Sequence, residues 1–280
     1  MRRPDYWRTE ELRSGLGILF ITGDHPRHSY IARCIAASNL LRGIIIERRE
    51  AFIPEPLADL REPIRNLFVR HFDSRARAEA RFFPGPELPS GVETLVVNRS
   101  ELNTSKVWDF VDHISPDLLM SYGVHKLSDE TLAHGRGRRW NIHGGLSPWY
   151  RGTITHFWPS YFLEPQMTGM TVHTLTQAID GGEIVHQVAA ELVRGDGVHD
   201  LACRAVLALG QELPELVAGG VHGTFKPPAV QTTTGRIWRS ADWRPEHLRL
   251  IYEVYGDRVV DAYLDGEFKK RDPKLIRGLP

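Results

Sequence analysis

Asn141 and His143 stand one residue apart in the stretch NIHGGLSPWYRG at 141–152. In an extended backbone alternate side chains project to the same face, so this step delivers an amide and an imidazole to one spot. Asp180 lies further on, in QAIDGGEIV, between an apolar pair and two glycines. Glycines beside a carboxylate let backbone or ligand approach closely. An Asn, a His and an Asp converging on one cleft suit acyl-type transfer. The amide and an imidazolium donate hydrogen bonds to a developing oxyanion, and the carboxylate accepts a proton from the nucleophile. Each residue type also has a structural use, since a histidine can serve a turn and an aspartate before two glycines is a common turn former. At this level both uses stay open.

The elements that must position these residues follow a βαβ pattern. The apolar run at 17–23, bounded by glycines, predicts a strand buried on both faces. DHPRHS then predicts a loop with Ser29 as a helix cap, YIARCIAASNLL a helix, and Arg42–Glu47 a second buried strand. Strand, helix and strand at this spacing imply a parallel sheet. Further strands are expected at 93–97, 117–123, 169–176 and 183–192, and helices at 105–114, 125–134, 155–162 and 196–217. The last helix is expected to end at Gly219-Gly220. The arginine-rich stretch at 63–83 has helical spacing and reads as a solvated insertion. The expected fold is α/β, an open, mostly parallel twisted sheet with helices on both faces. Composition changes near Phe225, which divides the chain into 1–225 and a C-terminal extension, 226–280, whose stretch from Pro245 predicts a helix and an ordered tail.

Composition narrows the partners. With 280 residues, 35 basic against 35 acidic, the chain lacks the net basic footprint of a nucleic-acid binder. Cys34 and Cys203 sit among apolar residues and read as small buried hydrophobes. No run approaches the length of a membrane span and the charged stretch at 1–15 has no signal-peptide core, so a cytoplasmic protein is expected. The glycines of GLGILFITG precede the strand rather than follow it, which argues against a dinucleotide loop. The thirteen histidines include no HxxxH pair, so no metal site is expected. His156 and His173 are open to either a pocket or a packing role.

NIHGGLSPWYRG, followed by TGMTVHTLTQAIDGGEIV, resembles the folate-dependent formyltransferases, the family of methionyl-tRNA, glycinamide ribonucleotide and sugar-nucleotide formyltransferases. The family's Asn-x-His step and its later Asp fall on Asn141, His143 and Asp180. Pro148 and Gly152 match the turn, and Thr168, Gly169 and Thr171 match the strand that follows. The resemblance covers roughly 17–220. It departs at Gly145, where the family has Ser, at Ser147, where Leu is common, and at Gly181 and Glu183 after the Asp. These departures leave the triad whole and change the pocket wall.

The resemblance implies 10-formyltetrahydrofolate as cofactor, its pteridine lying along the backbone of Met120, Ser121, Tyr122, Gly123 and Val124 and of Gln177, Ala178, Ile179 and Asp180. It also implies direct attack of an amine on the formyl carbon. Asn141 and His143 would stabilise the oxyanion, with Asp180 holding His143 and taking the amine proton. The extension is short and near-balanced in charge, so a small-molecule amine is the expected acceptor, an amino-sugar nucleotide first. Tyr150, Arg151, Trp158 and Trp149 are candidates to stack on its base or sugar, with core packing equally open. A homodimer is left open. The rivals are a hydrolase that releases formate, a non-catalytic folate-binding protein and, more weakly, a tRNA-directed enzyme.

Overall fold

The structure is a computed structural model that describes residues 16–279 apart from 50, 52, 57, 86, 234 and 270. The charged stretch at 1–15, with the expectation attached to it, lies outside the described residues.

Short apolar runs without polar alternation need cover on both faces, and the chain supplies it by alternating strands with helices. In order these are β1 (Ile18–Thr22), α1 (Pro26–Ala36), β2 (Leu41–Glu47), α2 (Ile64–Phe82), β3 (Glu93–Val97), α3 (Ser105–Ile114), β4 (Leu118–Tyr122), α4 (Asp129–Ala133) and β5 (Arg138–His143). There follow β6 (Tyr150–Gly152), α5 (Trp158–Tyr161), β7 (Gly169–Thr174), β8 (Ile184–Ala189), α6 (Val198–His222), β9 (Arg236–Trp238) and α7 (Val259–Leu264). Seven strands form one sheet in the order β3-β2-β1-β4-β5-β7-β8. The first five are parallel, β7 runs antiparallel to β5, and β8 antiparallel to β7.

Alternate residues divide between two cores. Phe20, Ile44, Met120, Trp140 and Ile142 face α1 and α6, whereas Leu19, Ile21, Ile45 and Leu119 face Val107, Phe110 and Val111 of α3. The sheet is therefore covered on both sides, the mostly parallel α/β arrangement read from the sequence. Among the described residues no helix is long and apolar enough to cross a membrane.

A third cluster joins the C-terminal stretch to the body: Trp238, Leu248, Ile251, Tyr252 and Val259 pack with Leu67, Phe68, Tyr150 and Trp158. β9 pairs in parallel with β6. Gln187 N–H donates to the Ile276 carbonyl at 2.7 Å and Lys226 N–H to that of Gly278 at 2.8 Å, so the tail runs along the outer edge of β8 and covers it.

Several boundaries differ from the sequence expectation. α1 begins at Pro26 with His25 as its N-cap, and Ser29 lies inside the helix. Proline suits the first turn because its missing N–H has no intrahelical acceptor there. α6 runs through Gly219-Gly220 and ends at Gly223, which takes a left-handed conformation at φ 76°. Gly220 is there for packing: a Cβ would stand 2.5 Å from the Trp140 ring. Helix is confined to Trp158–Tyr161 within 155–162, and the expected helix from Pro245 breaks into two short turns, Pro245–His247 and Leu250–Val254, before α7.

Candidate active site

β1 and β4 are neighbours, yet the chain leaves β1 toward β2 and reaches β4 from β3, so connections depart in opposite directions. Such a switch point opens a crevice at the carboxyl ends of the strands. A cavity of about 740 Å³ lies there, and its wall includes Asn141, His143 and Asp180.

Strand register brings the polar groups together. Asn141 sits beside Ser121 of β4 and opposite His173 of β7, and His143 sits opposite Thr171. The Ser121 hydroxyl donates to Asn141 Oδ1 at 2.7 Å, which fixes the amide so that Nδ2 faces His173 Nε2 at 3.2 Å. His173 Nδ1 is 2.9 Å from the Thr174 carbonyl, an acceptor, so Nδ1 carries the proton and Nε2 accepts from the amide. One Asn141 N–H is thus committed, and the second remains for the cavity.

His143 is 6% exposed, with Nε2–H donating to the Tyr150 carbonyl at 2.7 Å. Its other nitrogen, Nδ1, stands 3.4 Å from Asp180 Oδ2. Burial lowers the imidazole pKa, outweighing the opposing pull of Asp180 and of the Tyr150 carbonyl, so the ring is neutral and its Nδ1 lone pair faces the carboxylate. Burial alone would raise the Asp180 carboxyl, but the positive charge that His143 and His173 carry when protonated, and the Gly152 N–H, which donates to Oδ2 at 2.7 Å, hold it below the usual carboxylate range. Asp180 adopts φ 44°, and its carbonyl accepts from Gln231 Nε2 at 2.8 Å, so chain from the extension props the turn.

The turn after His143 is pinned by polar side chains. Thr171 Oγ1 donates to the Gly145 carbonyl at 2.7 Å and accepts from Ser147 N–H at 3.0 Å, and Gln187 Nε2 donates to the Ser147 carbonyl at 2.6 Å. A Cβ at Gly145 would lie 2.5 Å from the Tyr150 carbonyl and 2.7 Å from His143 Nε2. Glycine in place of serine here keeps the imidazole in contact with that carbonyl.

The residues expected to hold cofactor separate into three groups. Tyr122, Gly123 and Val124 line the cavity. Met120 is fully buried in the core, and the Ser121 hydroxyl is spent on Asn141. Gln177, Ala178 and Ile179 form an exposed turn beside Asp180, outside the cavity wall. Nor do Tyr150, Arg151 and Trp158 form part of that wall. The Tyr150 hydroxyl donates to Glu164 at 2.9 Å, and Trp158, 1% exposed, stacks on Trp238 with ring centroids 4.2 Å apart. Their aromatic surface is used up in the third core cluster. Arg151 lies in β6, its guanidinium near Gly181.

Other wall residues were not singled out as site residues in the sequence. His156, left open there, precedes α5 and lines the cavity, and burial holds its pKa down to about 3. Arg27, His28 and Arg49 line it as well, and Arg49 donates to the Gly123 carbonyl at 2.9 Å. The stretch at 63–83 is not a solvated insertion: as α2 it buries Leu67, Phe68, His71 and Glu79, and its inner face closes one end of the cavity. The signal was present as the spacing of His71, Phe72, Arg75 and Glu79 on one helix face.

Comparison with known proteins agrees with this fold. The family model described as formyl transferase matches residues 71–217, more than half of the chain. A 160-residue segment is 30% identical to the bifunctional polymyxin resistance protein ArnA of Wigglesworthia glossinidia brevipalpis, covering 55% of this chain and 24% of that protein. The chain thus spans about a quarter of that curated relative. Among solved structures, phosphoribosylglycinamide formyltransferase from Anaplasma phagocytophilum superposes with a TM-score of 0.54 at 20% identity, over 76% of this chain and 90% of that one. WlaRD, a sugar 3N-formyl transferase solved in the presence of dTDP and 5-N-formyl-THF, does so at 0.51 and 14%, over 82% and 72%. At these identities the superpositions establish the fold, and the family match adds lineage. The chain belongs to the formyl transferase family.

Proposed function

We propose that the protein transfers a formyl group from 10-formyltetrahydrofolate to the amine of a small molecule, with an amino-sugar nucleotide as the acceptor. The observation that carries this reading is the meeting of Asn141, His143 and Asp180 on one cavity wall in a chain of this family. The sugar 3N-formyl transferase that shares the fold was solved with dTDP and a formylated folate, which supports both halves of the assignment.

The wall fits the donor. A cavity of about 740 Å³ falls in the range that encloses ligands of that size. At Tyr122-Gly123-Val124 the backbone turns at φ 65°, and Val124 packs on the α3-side core, which offers a flat, partly apolar ledge to a heterocycle. The donor supplies an electrophilic formyl carbon at N10, and everything else is asked of the chain. Asn141 gives its second amide N–H to the oxyanion that forms as the amine nitrogen bonds to carbon. His143, whose Nε2–H is given to the Tyr150 carbonyl, acts on the same charge through the positive charge it carries when Nδ1, beside Asp180, binds a proton. Asp180, ionised, takes the amine proton directly or through water. As the carbon–N10 bond breaks, that proton goes to the departing nitrogen, so charge balances without a further reactant.

The test is mass spectrometry of 10-formyltetrahydrofolate turnover against a panel of amines that includes dTDP-linked amino sugars and a no-amine control. An amine product heavier by one formyl group is expected. Formate released equally with and without amine would assign a hydrolase instead.

A further inference from the structure

Helix α2 carries a wall of the cavity that the formyl-transfer centre does not use. His71, Phe72, Arg75 and Glu79 fall on one helix face and all border the cavity. Glu79, with its side chain 4% exposed, pairs with Arg27 at 2.5 Å. The Arg75 guanidinium lies 5.1 Å from the centre of the Phe72 ring. His71 Nδ1 is 2.9 Å from the Tyr252 hydroxyl and 3.2 Å from His199 Nε2, and His199 also borders the cavity. Burial is the largest influence here too: with Arg27 nearby it brings Arg75 down to about 10, and it leaves His71 near 3 and therefore neutral.

A face that served packing alone would be apolar, because burying a carboxylate, two guanidiniums and two imidazoles costs desolvation that methyl groups avoid. These groups instead meet a cavity, together with the aromatic rings of Phe72, Phe157 and Trp243. Charged donors and acceptors beside aromatic faces match a hydroxylated ring. Its hydroxyls both donate and accept, and its C–H edge lies against the aromatic rings.

Position separates this wall from the donor. Val124 and Leu175, at the loops next to Asn141 and Asp180, pack on the α3 side of the sheet. Ala78 and Phe83, at the end of α2, pack on the α1/α6 side. The cavity wall takes in residues of both sides, Val124 of the first and Phe83 of the second.

We propose that the α2 face is the acceptor subsite, with His71, Arg75 and Glu79 selecting the amine substrate by the hydroxyls of its sugar ring. This assignment rests on the formyltransferase reading above. It places acceptor recognition on α2 in place of Tyr150, Arg151 and Trp158, which are occupied in the core.

The test compares Arg75→Ala and His71→Gln with the wild type, circular dichroism reporting the fold. Donor affinity is read by binding of 5-formyltetrahydrofolate, an unreactive analogue, and acceptor KM with dTDP-linked 3-amino and 4-amino sugars. The expected result is an acceptor KM raised about tenfold or more with donor affinity unchanged, and an altered preference between the two sugars. If one variant fails to fold, the other decides. Transfer with wild-type acceptor KM and sugar preference would overturn the subsite and leave the transferase standing. Wild-type protein that formylates no amine would overturn both.

Discussion

Asn141 and His173 face each other across the antiparallel pair β5–β7, with the amide nitrogen 3.2 Å from the imidazole Nε2. Ser121 grips the other end of the same amide at 2.7 Å. The amide therefore has one orientation, with its second N–H left for the reacting group. His173 is a positioning residue, acting on the oxyanion through Asn141.

Replacing His173 should therefore lower kcat and leave acceptor KM nearly unchanged. His173→Ala is expected to cost about tenfold in kcat, the scale of one lost buried hydrogen bond. Asn141→Ala should cost more, about 10²-fold or beyond. The decisive measurement is the double variant, which should be no slower than Asn141→Ala alone, because residues acting through one group are not additive. Full additivity would give His173 a separate role.

Gly145 gives a sharper test of the turn. Its α-carbon faces the Tyr150 carbonyl and His143 Nε2, so an added methyl group displaces one of them. Gly145→Ala should lower kcat by about tenfold or more, with a smaller effect on stability, because the displaced group carries the imidazole. Steady-state kinetics beside a urea melt separate the two effects.

Trp158 belongs to stability. Stacked on Trp238 and 1% exposed, it fills volume in the core. Trp158→Ala is expected to destabilise by about 3–5 kcal/mol, and Trp158→Phe by less. The phenylalanine variant, measured where it is folded, should keep the wild-type acceptor KM. A raised KM there would return the ring to the acceptor site.

The buried imidazoles make stability fall with acidification. His71 and His156 are held near 3 by burial, below the ordinary 6.5. Between those values the unfolded chain binds protons that the folded chain does not, so stability rises with pH. Their contribution is fully present above about pH 6.5 and is lost as pH falls, by up to about 1.4 kcal/mol per pH unit for each histidine. Urea midpoints at about pH 7, 6 and 5 should fall progressively, and His156→Gln should flatten that slope. An unchanged slope would mean that His156 is protonated in the folded state.

What was legible in the sequence was local. The Asn141–His143 step shows in the spacing because strand alternation alone puts two such residues on one face. His173 did not show, because its partnership depends on the register of β7 against β5, which no short window contains. The arginines of α2 read as solvent-facing, since charge usually marks an exposed surface, yet a cavity gave His71 and Glu79 a polar place to be buried. Gly219-Gly220 read as a helix stop for a similar reason: the Trp140 ring that needs the missing side chain is distant in sequence. The tryptophans after His143 have the make-up of ligand platforms, yet tertiary packing claims Trp158 first.

Asp180 is the most direct test of the chemistry. Its carboxylate accepts the Gly152 N–H at 2.7 Å and stands 3.4 Å from both His143 and His173. Asp180→Ala removes geometry and charge together and should lower kcat at least about 10²-fold. Asp180→Asn separates them, because an amide oxygen still accepts from Gly152 while the charge that stabilises a protonated His143 is gone. If charge and proton acceptance are the role, Asn should be nearly as slow as Ala. The carboxyl is held below its ordinary range, so the acid limb of the wild-type kcat profile should not follow Asp180 but His143, whose pKa burial has lowered from 6.5. Recovery of most activity in Asp180→Asn, with that limb unmoved, would reduce the aspartate to a prop for the turn at Gly152.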